Sequence, residues 1–192
     1  MQHLDVSAVI LFQNDEEIVG TAVTRLAEFL RAQGLGFELL AVDVASHDNS
    51  TALLALMRKQ VLELRIVTTA PARTPHLHAA QIARGQAVWF VTPDAANASL
   101  EAFPAAFQQI TRGERELVAI SDRFALADRT RVIASLRGLR SQGRQLPREL
   151  MNRPRPDGET ARAGTSTRQP GKTRSGWLAP LLSMLALERS PW

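Results

Sequence analysis

The fold is decided by three stretches: Val42-Asp43-Val44-Ala45-Ser46-His47-Asp48-Asn49, Phe90-Val91-Thr92-Pro93-Asp94 and Ala119-Ile120-Ser121-Asp122-Arg123-Phe124. Each begins at the end of an apolar, β-branched run and continues in polar residues. Open α/β sheets hold their ligands in the loops that follow such strands. The sequence therefore predicts an α/β fold in which three loops form one ligand site.

Segments of helical periodicity alternate with the apolar runs along the first two-thirds of the chain. The predicted strands are 6–12, 37–42, 64–68, 87–91 and 116–121, and the predicted helices cover about 14–30, 48–60, 78–84 and 99–111. Alternation of this kind is typical of a parallel sheet covered by helices on both faces. We therefore expect a three-layer α/β domain with a mainly parallel sheet.

Composition divides the chain into three parts. Residues 1–140 carry the alternating pattern, residues 141–176 are rich in Arg, Pro and Gly, and residues 177–192 are mostly apolar. The middle part has too few large apolar side chains to offset its ordering entropy, so we expect a flexible linker there. The chain has 192 residues, a net charge of +4 and no cysteine, which excludes disulfides and thiolate metal sites.

The basic tail predicts an anionic partner. Between positions 129 and 174 the chain has twelve Arg or Lys residues and only three acidic residues. Such a charge run attracts an anionic membrane surface or an acidic protein partner through residues 142–192. Nucleic acid is the least favoured partner, because the tail lacks interleaved aromatic residues before Trp177. The run Val6–Phe12 is too short for a signal core or a membrane span, so we expect a cytoplasmic protein with a peripheral membrane position as an option.

Three charged residues at the predicted strand ends have a functional and a structural interpretation. Asp43 could accept hydrogen bonds from a base or ribose, or its loop could simply cap the next helix. Asp94 could hold a divalent cation on a diphosphate, or serve as a turn residue after proline. Arg123 could bind a diphosphate with its forked donors, or form an ion pair with a neighbouring acid.

Taken in order, the motifs resemble those of the family-two glycosyltransferases of the GT-A fold, in particular the polyprenyl- and dolichol-phosphate sugar synthases. Leu11–Glu16 stands where that family has Pro-x-Tyr-Asn-Glu-Glu, and Val42–Ser50 where it has Val-Asp-Asp-Gly-Ser-x-Asp-x-Thr. Ala83–Gly85 matches its Ala-Arg-Gly. Thr92–Asp94 takes the place of its Asp-x-Asp metal motif, and Ser121–Phe124 that of its Gly-Ser-Arg-Phe.

The resemblance covers residues 4–140 and implies a nucleotide diphosphate-sugar donor with Mg²⁺ or Mn²⁺ as cofactor. It implies that Asp43 meets the base, Asp15 the nucleoside, Asp94 the metal and Arg123 the phosphates, with Asp94 and Arg123 acting in catalysis. The remaining residues expected at the nucleotide are Phe12, Asn14, Ser46 and Thr92. A polyprenyl phosphate or another membrane-associated acceptor would receive the sugar.

The chain departs from the family pattern at positions that bind ligands. Gln13 replaces a tyrosine, Val44 replaces the second aspartate at the end of the second predicted strand, and Thr92 replaces the first metal-motif aspartate. Two interpretations follow. The chain is either a small metal-dependent glycosyltransferase or a binding and scaffold protein that kept the fold with weak or no catalysis.

Overall fold

The computed structural model describes residues 4–68, 74–139 and 143–151. Its strands are β1 (Val6–Phe12), β2 (Phe37–Asp43), β3 (Leu64–Thr68), β4 (Ala87–Val91), β5 (Leu117–Ser121) and β6 (Phe124–Asp128). Its helices are α1 (Glu16–Ala32), α2 (Ser50–Met57), α3 (Pro75–Ile82), α4 (Pro93–Ala98), α5 (Phe103–Thr111), α6 (Arg129–Leu136) and α7 (Arg148–Met151).

The strands form one sheet in the order β3-β2-β1-β4-β6-β5. β1 pairs in parallel with β2 and β4, and β3 pairs in parallel with β2. β6 runs antiparallel to both β4 and β5, so β5 points the same way as β1, β2 and β4. The loops after these four strands therefore lie along one side of the sheet, which we call the strand-end edge. The prediction of a mainly parallel α/β domain is confirmed.

Helices cover both faces of the sheet, and the central strand shows this in its burial. Every residue of β1 is buried. Ile10 and Phe12 pack toward α1 with Trp89 and Phe103, whereas Leu11 packs on the opposite face with Leu40 and Phe90. This two-sided burial explains why β1 is apolar on both faces, apart from Ser7, instead of alternating.

A buried polar network holds the start of β4 at the side opposite the strand-end edge. Glu38 Oε1 accepts hydrogen bonds from Ser7 Oγ at 2.7 Å and from the Arg84 N–H at 2.7 Å. Glu38 Oε2 accepts from Arg65 at 2.5 Å, and Ser7 Oγ accepts from the Gly85 N–H at 2.8 Å. The Ala-Arg-Gly motif is therefore structural: it brings the chain against β1 before β4 begins.

Several element boundaries differ from the prediction. The predicted third helix begins earlier, at Pro75, and the predicted fourth helix begins later, at Phe103. Helix α4, before it, was not predicted. Pro75 and Pro93 each stand in the first turn of a helix, where proline's missing N–H costs nothing. Strand β6 and helix α6 were not predicted as separate elements. β6 follows β5 after the two-residue turn Asp122–Arg123, so the two strands form a tight hairpin.

Packing continues past residue 140, where the sequence predicted a linker to begin. Leu146 and Leu150 are buried against the face that contains Leu11 and Phe90. Residues 152–192 lie outside the described part of the chain, so the predicted contacts of the tail with a membrane or protein partner stay predictions. No helix in the described ranges is long and apolar enough to cross a membrane.

Candidate functional site

Reciprocal hydrogen bonds join the loops after β1 and β2 into one unit. The Asn14 N–H donates to Ser46 Oγ at 3.1 Å, and the His47 N–H donates back to Asn14 Oδ1 at 2.8 Å. The Glu16 N–H donates to Asp48 Oδ2 at 3.0 Å, and the Asn49 N–H donates back to Glu16 Oε2 at 3.1 Å. Residues 14–16 and 45–49 therefore form a single rigid unit at the two strand ends, which we call the rim.

Asp43 is buried and closes its own loop. Its Oδ1 accepts from the Ser46 N–H at 2.8 Å, and its Oδ2 accepts from the Thr51 hydroxyl at 3.3 Å. Asp48 holds the first residue of α2, since its carboxylate accepts hydrogen bonds from both the N–H and the hydroxyl of Ser50. The hydroxyl of Ser50, opposed by burial, keeps the pKa of Asp48 below its usual range. These bonds show that the loop organises the start of α2, and the role of Asp43 toward a base stays a prediction.

Two residues of this rim have backbone angles in the left-handed region. Asn14 has φ 54° and Ala45 has φ 58°. Asparagine tolerates this conformation. For alanine, whose β-carbon crowds the main chain there, it costs about 1 kcal/mol. Ala45 stands where the resembling family has glycine. The loop therefore holds alanine in a conformation that glycine adopts without strain.

The loops after β4 and β5 are joined by an ion pair. Arg123 donates to Asp94 Oδ2, and the Thr92 N–H donates to the Arg123 carbonyl oxygen at 3.1 Å. The Arg123 side chain is 51% exposed and that of Asp94 35%. Burial works against ionisation of Asp94, but the nearby Thr92 hydroxyl and the Arg123 guanidinium together lower its pKa. Asp94 is therefore a carboxylate at neutral pH.

A second ion pair involves Asp15, which follows the end of β1. Arg144 binds both carboxylate oxygens of Asp15 at 2.5 Å, and the Gln13 N–H donates to Asp15 Oδ2 at 2.9 Å. The Asp15 side chain is 6% exposed, whereas that of Arg144 is 37% exposed. Arg144 was not among the predicted site residues. No motif pointed to it, because it lies in the arginine-rich stretch predicted to be a linker.

The structure brings most of the predicted residues to the strand-end edge. Asn14, Asp15, Asp43 and Ser46 lie in the loops after β1 and β2, next to one another in the sheet. Thr92 precedes α4 and Asp94 lies in its first turn, directly after β4, and Arg123 lies in the turn after β5. Phe12 differs from the expectation, since its side chain is fully buried in the core and offers no surface to a nucleotide. Its carbonyl oxygen accepts from the Val44 N–H at 2.9 Å, so Phe12 positions the rim.

His76 is a buried group beneath this edge that sequence reasoning left out. It lies in α3, and its ring contacts that of Phe90 edge-on at a centroid distance of 5.3 Å. Burial lowers the pKa of His76 to about 4, and a hydrogen bond with the main chain of Arg144 opposes this only in part. His76 is therefore neutral in the native protein at physiological pH.

Acidification is expected to destabilise the protein through His76. The native pKa is about 4 and the ordinary value is 6.5, so the unfolded chain takes up the proton first as the pH falls. The stabilisation is complete above pH 6.5 and decreases toward pH 4, by up to about 3 kcal/mol. Urea unfolding of the wild type and of His76→Leu at several pH values measures this. Equal loss of stability in both proteins over this range would contradict it.

The resemblance implies a divalent cation, and the side chains at Asp94 allow a test of fit. The described part of the chain contains no group of three or more His, Asp or Glu side chains able to hold a metal ion. The side chains in the described ranges therefore do not fit a cation held without a ligand. A cation shared with a diphosphate does fit, because Mg²⁺ keeps several waters and needs only one or two carboxylates beside the phosphates. Asp94 is ionised and partly exposed, as such a ligand must be.

No protein-family model matches this sequence, and no curated protein matches it. Solved structures do match its fold. A mannosyltransferase from Pyrobaculum calidifontis, solved with GDP-Man and Mn²⁺, aligns with a TM-score of 0.58 at 15% identity. The alignment covers 72% of this chain and 48% of that one.

Two further structures align in the same way, each at 15% identity. Mannosyl-3-phosphoglycerate synthase from Rubrobacter xylanophilus has a TM-score of 0.54 and covers 66% of this chain and 53% of its own. Glucosyl-3-phosphoglycerate synthase from M. tuberculosis has a TM-score of 0.52 and covers 66% and 58%. This chain therefore spans about half the length of the structures it matches. At this identity the likeness shows the fold, which is that of the GT-A glycosyltransferases.

Proposed function

We propose that this GT-A-fold chain binds a nucleotide diphosphate-sugar along its strand-end edge and transfers the sugar to an acceptor. The observation that supports this best is the Arg123–Asp94 pair, which sets a half-exposed guanidinium beside an ionised carboxylate. This pair lies on the same edge as the rigid rim of Asn14 and Ser46. The nucleoside would lie toward Asp43 and Asp15, and the diphosphate toward Arg123.

Arg123 would carry most of the charge stabilisation by the chain itself. Its forked donors suit a diphosphate, and its exposed half lets it turn from Asp94 toward the phosphates. Donors placed where negative charge develops stabilise the departing nucleotide. A divalent cation, when bound by Asp94 and the diphosphate, supplies further charge neutralisation at the leaving group. The Thr92 N–H, bonded to the Arg123 carbonyl oxygen, fixes the main chain on which Arg123 stands.

The acceptor that fits best is one that needs no general base. The first carboxylate after Phe124 is Asp128, which accepts from the Arg131 N–H at 2.9 Å and caps α6. Asp128 also pairs with Ala87 at the start of β4, so it lies at the side of the sheet opposite the strand-end edge. A phosphate acceptor is already an anionic nucleophile. A polyprenyl phosphate or a similar membrane-associated phosphate is therefore the proposed acceptor class.

A second candidate function has its own supporting observation. Two of the three carboxylates expected to meet the donor, Asp15 and Asp94, are paired with arginines of the same chain. An edge neutralised in this way suits a binding or scaffold protein that kept the GT-A fold without turnover. Binding of nucleotide diphosphates separates the two candidates.

A thermal-shift screen tests the proposed function. The probes are GDP, UDP, ADP and CDP and their hexose conjugates, each with and without Mn²⁺. A ligand at 100 times its dissociation constant stabilises the folded protein by about 2.7 kcal/mol, which gives a readily measured shift. A shift with at least one nucleotide supports the donor site. The absence of any shift at millimolar concentrations supports the scaffold.

The Asp94 and Thr92 positions are expected to control metal dependence in opposite directions. Asp94→Ala should remove the difference in nucleotide affinity with and without Mn²⁺, because it deletes the protein ligand. Thr92→Asp restores the first carboxylate of the motif and should raise the Mn²⁺-dependent affinity roughly tenfold, or about 1.4 kcal/mol. Calorimetric titration of the best nucleotide measures both effects.

The matched control for this pair of variants is Asp122→Ala, which removes a neighbouring carboxylate at the same edge. It should leave the metal dependence unchanged. If Thr92→Asp binds nucleotide no better with Mn²⁺ than the wild type does, the position of Asp94 is not a metal site.

A further inference from the structure

Residues 143–147 cross the strand-end edge, and we call them the strap. At one end Arg144 holds the Asp15 carboxylate after β1. At the other end the Leu146 N–H donates to the Asp122 carbonyl oxygen, in the turn between β5 and β6, at 2.9 Å. The strap thus connects two strand ends that are not neighbours in the sheet.

The sheet order shows what the strap passes over. β4 and β6 lie between β1 and β5, so the connected strand ends are separated by two to three strand spacings, or roughly 10–15 Å. Two extended residues cover about 7 Å, and the arginine side chain covers the rest. The path therefore crosses the end of β4, where Thr92 and Asp94 stand at the start of α4.

The main chain of the strap is anchored from below. Leu146 is buried, and the buried, neutral His76 bonds the main chain of Arg144. The Arg144 side chain is different, because more than a third of it is exposed. The side chain is therefore the part of the strap that can change partner while the main chain stays in place.

Asp15 cannot easily be left without a partner. Its carboxylate is 6% exposed, and a buried charge without compensating donors is costly. The Gln13 N–H supplies one donor, and Arg144 supplies the rest. A ligand with N–H or O–H donors, such as the ribose or base of a nucleoside, could replace Arg144 at Asp15 without leaving the charge uncompensated.

We infer that Arg144 is a gating residue that closes the nucleoside end of the strand-end edge by holding Asp15, and that nucleoside binding displaces its guanidinium. This inference rests on the proposed function, since it concerns the same site. Part of the nucleotide's binding free energy is spent on breaking the Arg144–Asp15 pair. The gate therefore lowers nucleotide affinity in the wild type.

Arg144→Ala tests the gate. The variant should bind nucleoside diphosphates about fivefold more tightly than the wild type. Binding to the variant breaks no ion pair, and the donors of the nucleoside compensate the unpaired Asp15 carboxylate. Inorganic pyrophosphate, which has no nucleoside to meet Asp15, should gain no affinity. Arg148→Ala removes an exposed arginine of α7 and serves as the matched control, with unchanged affinity for both probes.

Arg144→Lys provides a second variant in case the alanine protein does not fold. Lysine keeps a positive charge near Asp15 without the guanidinium, so a smaller gain in the same direction is expected. Equal or weaker nucleoside diphosphate binding by the Arg144 variants would overturn the gate, and weaker binding of pyrophosphate as well would make Arg144 an anion ligand. If neither the wild type nor any variant binds a nucleotide, the proposed function fails and the gate with it.

Discussion

Replacing Arg123 by alanine is expected to weaken nucleoside diphosphate binding by 30- to 100-fold. Charge-assisted hydrogen bonds of a guanidinium to phosphate contribute about 1.5–3 kcal/mol. The variant also leaves Asp94 ionised and unpaired beside the phosphates, which adds repulsion. The Arg123–Asp94 pair is half exposed, so its loss should lower the free energy of unfolding by no more than about 1 kcal/mol. Calorimetric titration together with urea unfolding measures the two quantities separately.

The matched control for Arg123→Ala is Arg112→Ala. Arg112 follows α5 at the side of the sheet opposite the strand-end edge, and its contact with Glu114 is an exposed pair at 3.7 Å. Its removal changes the net charge by the same amount and should leave the affinity unchanged. If Arg123→Ala binds within twofold of the wild type, Arg123 does not meet the phosphates.

Gly85→Ala is expected to lower the free energy of unfolding by about 3 kcal/mol. A β-carbon at Gly85 would lie 2.5 Å from Ser7 N and 2.5 Å from the carbonyl carbon of Val6. Both contacts are with the main chain of the central strand β1, which cannot move aside as a flexible side chain could. The Gly85 N–H bond to Ser7 Oγ would be lost with any shift that relieves the clash.

Gly113→Ala separates this clash from the general cost of replacing a glycine. Nothing lies within 4 Å of a β-carbon at Gly113, but its φ of +71° is strained for alanine. A loss of about 1 kcal/mol is expected there. Urea unfolding of both variants compares the two costs. If Gly85→Ala loses no more than Gly113→Ala does, the close approach to β1 is not what requires the glycine.

The sequence was sufficient to predict the bounds of those strands whose apolar runs have clear limits. β1, β3 and β4 have the predicted bounds, because polar residues or turn residues end each run. β6 was not predicted, since Phe124 follows a two-residue turn and the short run to Asp128 has no break before the basic helix α6. Hydrophobic periodicity detects long, isolated elements better than a hairpin strand that continues directly into a helix.

The site was predictable only where its residues come directly after a strand. Asp94 and Arg123 were each placed correctly at a strand end. The sequence left open whether Arg123 binds a diphosphate or pairs with a neighbouring acid, and in the structure it pairs with Asp94. Arg144 was beyond prediction, because 129 positions separate it from Asp15 in the sequence and it follows many similar arginines. Long-range ion pairs leave no local pattern, so only the folded chain shows which arginine reaches which carboxylate.

The proposed function requires the strand-end edge to bind the nucleotide of a diphosphate-sugar. The most direct test follows the backbone amide signals of ¹⁵N-labelled protein by NMR during titration with the nucleotide diphosphate-sugar selected by the thermal-shift screen, or with GDP-Man and UDP-GlcNAc if none is selected. We expect saturable shifts that cluster at Asn14, Ser46, Asp94 and Arg123, whereas the signals on the opposite side, around Arg84, stay unchanged. No shifts at millimolar ligand, or shifts that cluster away from these loops, would contradict it.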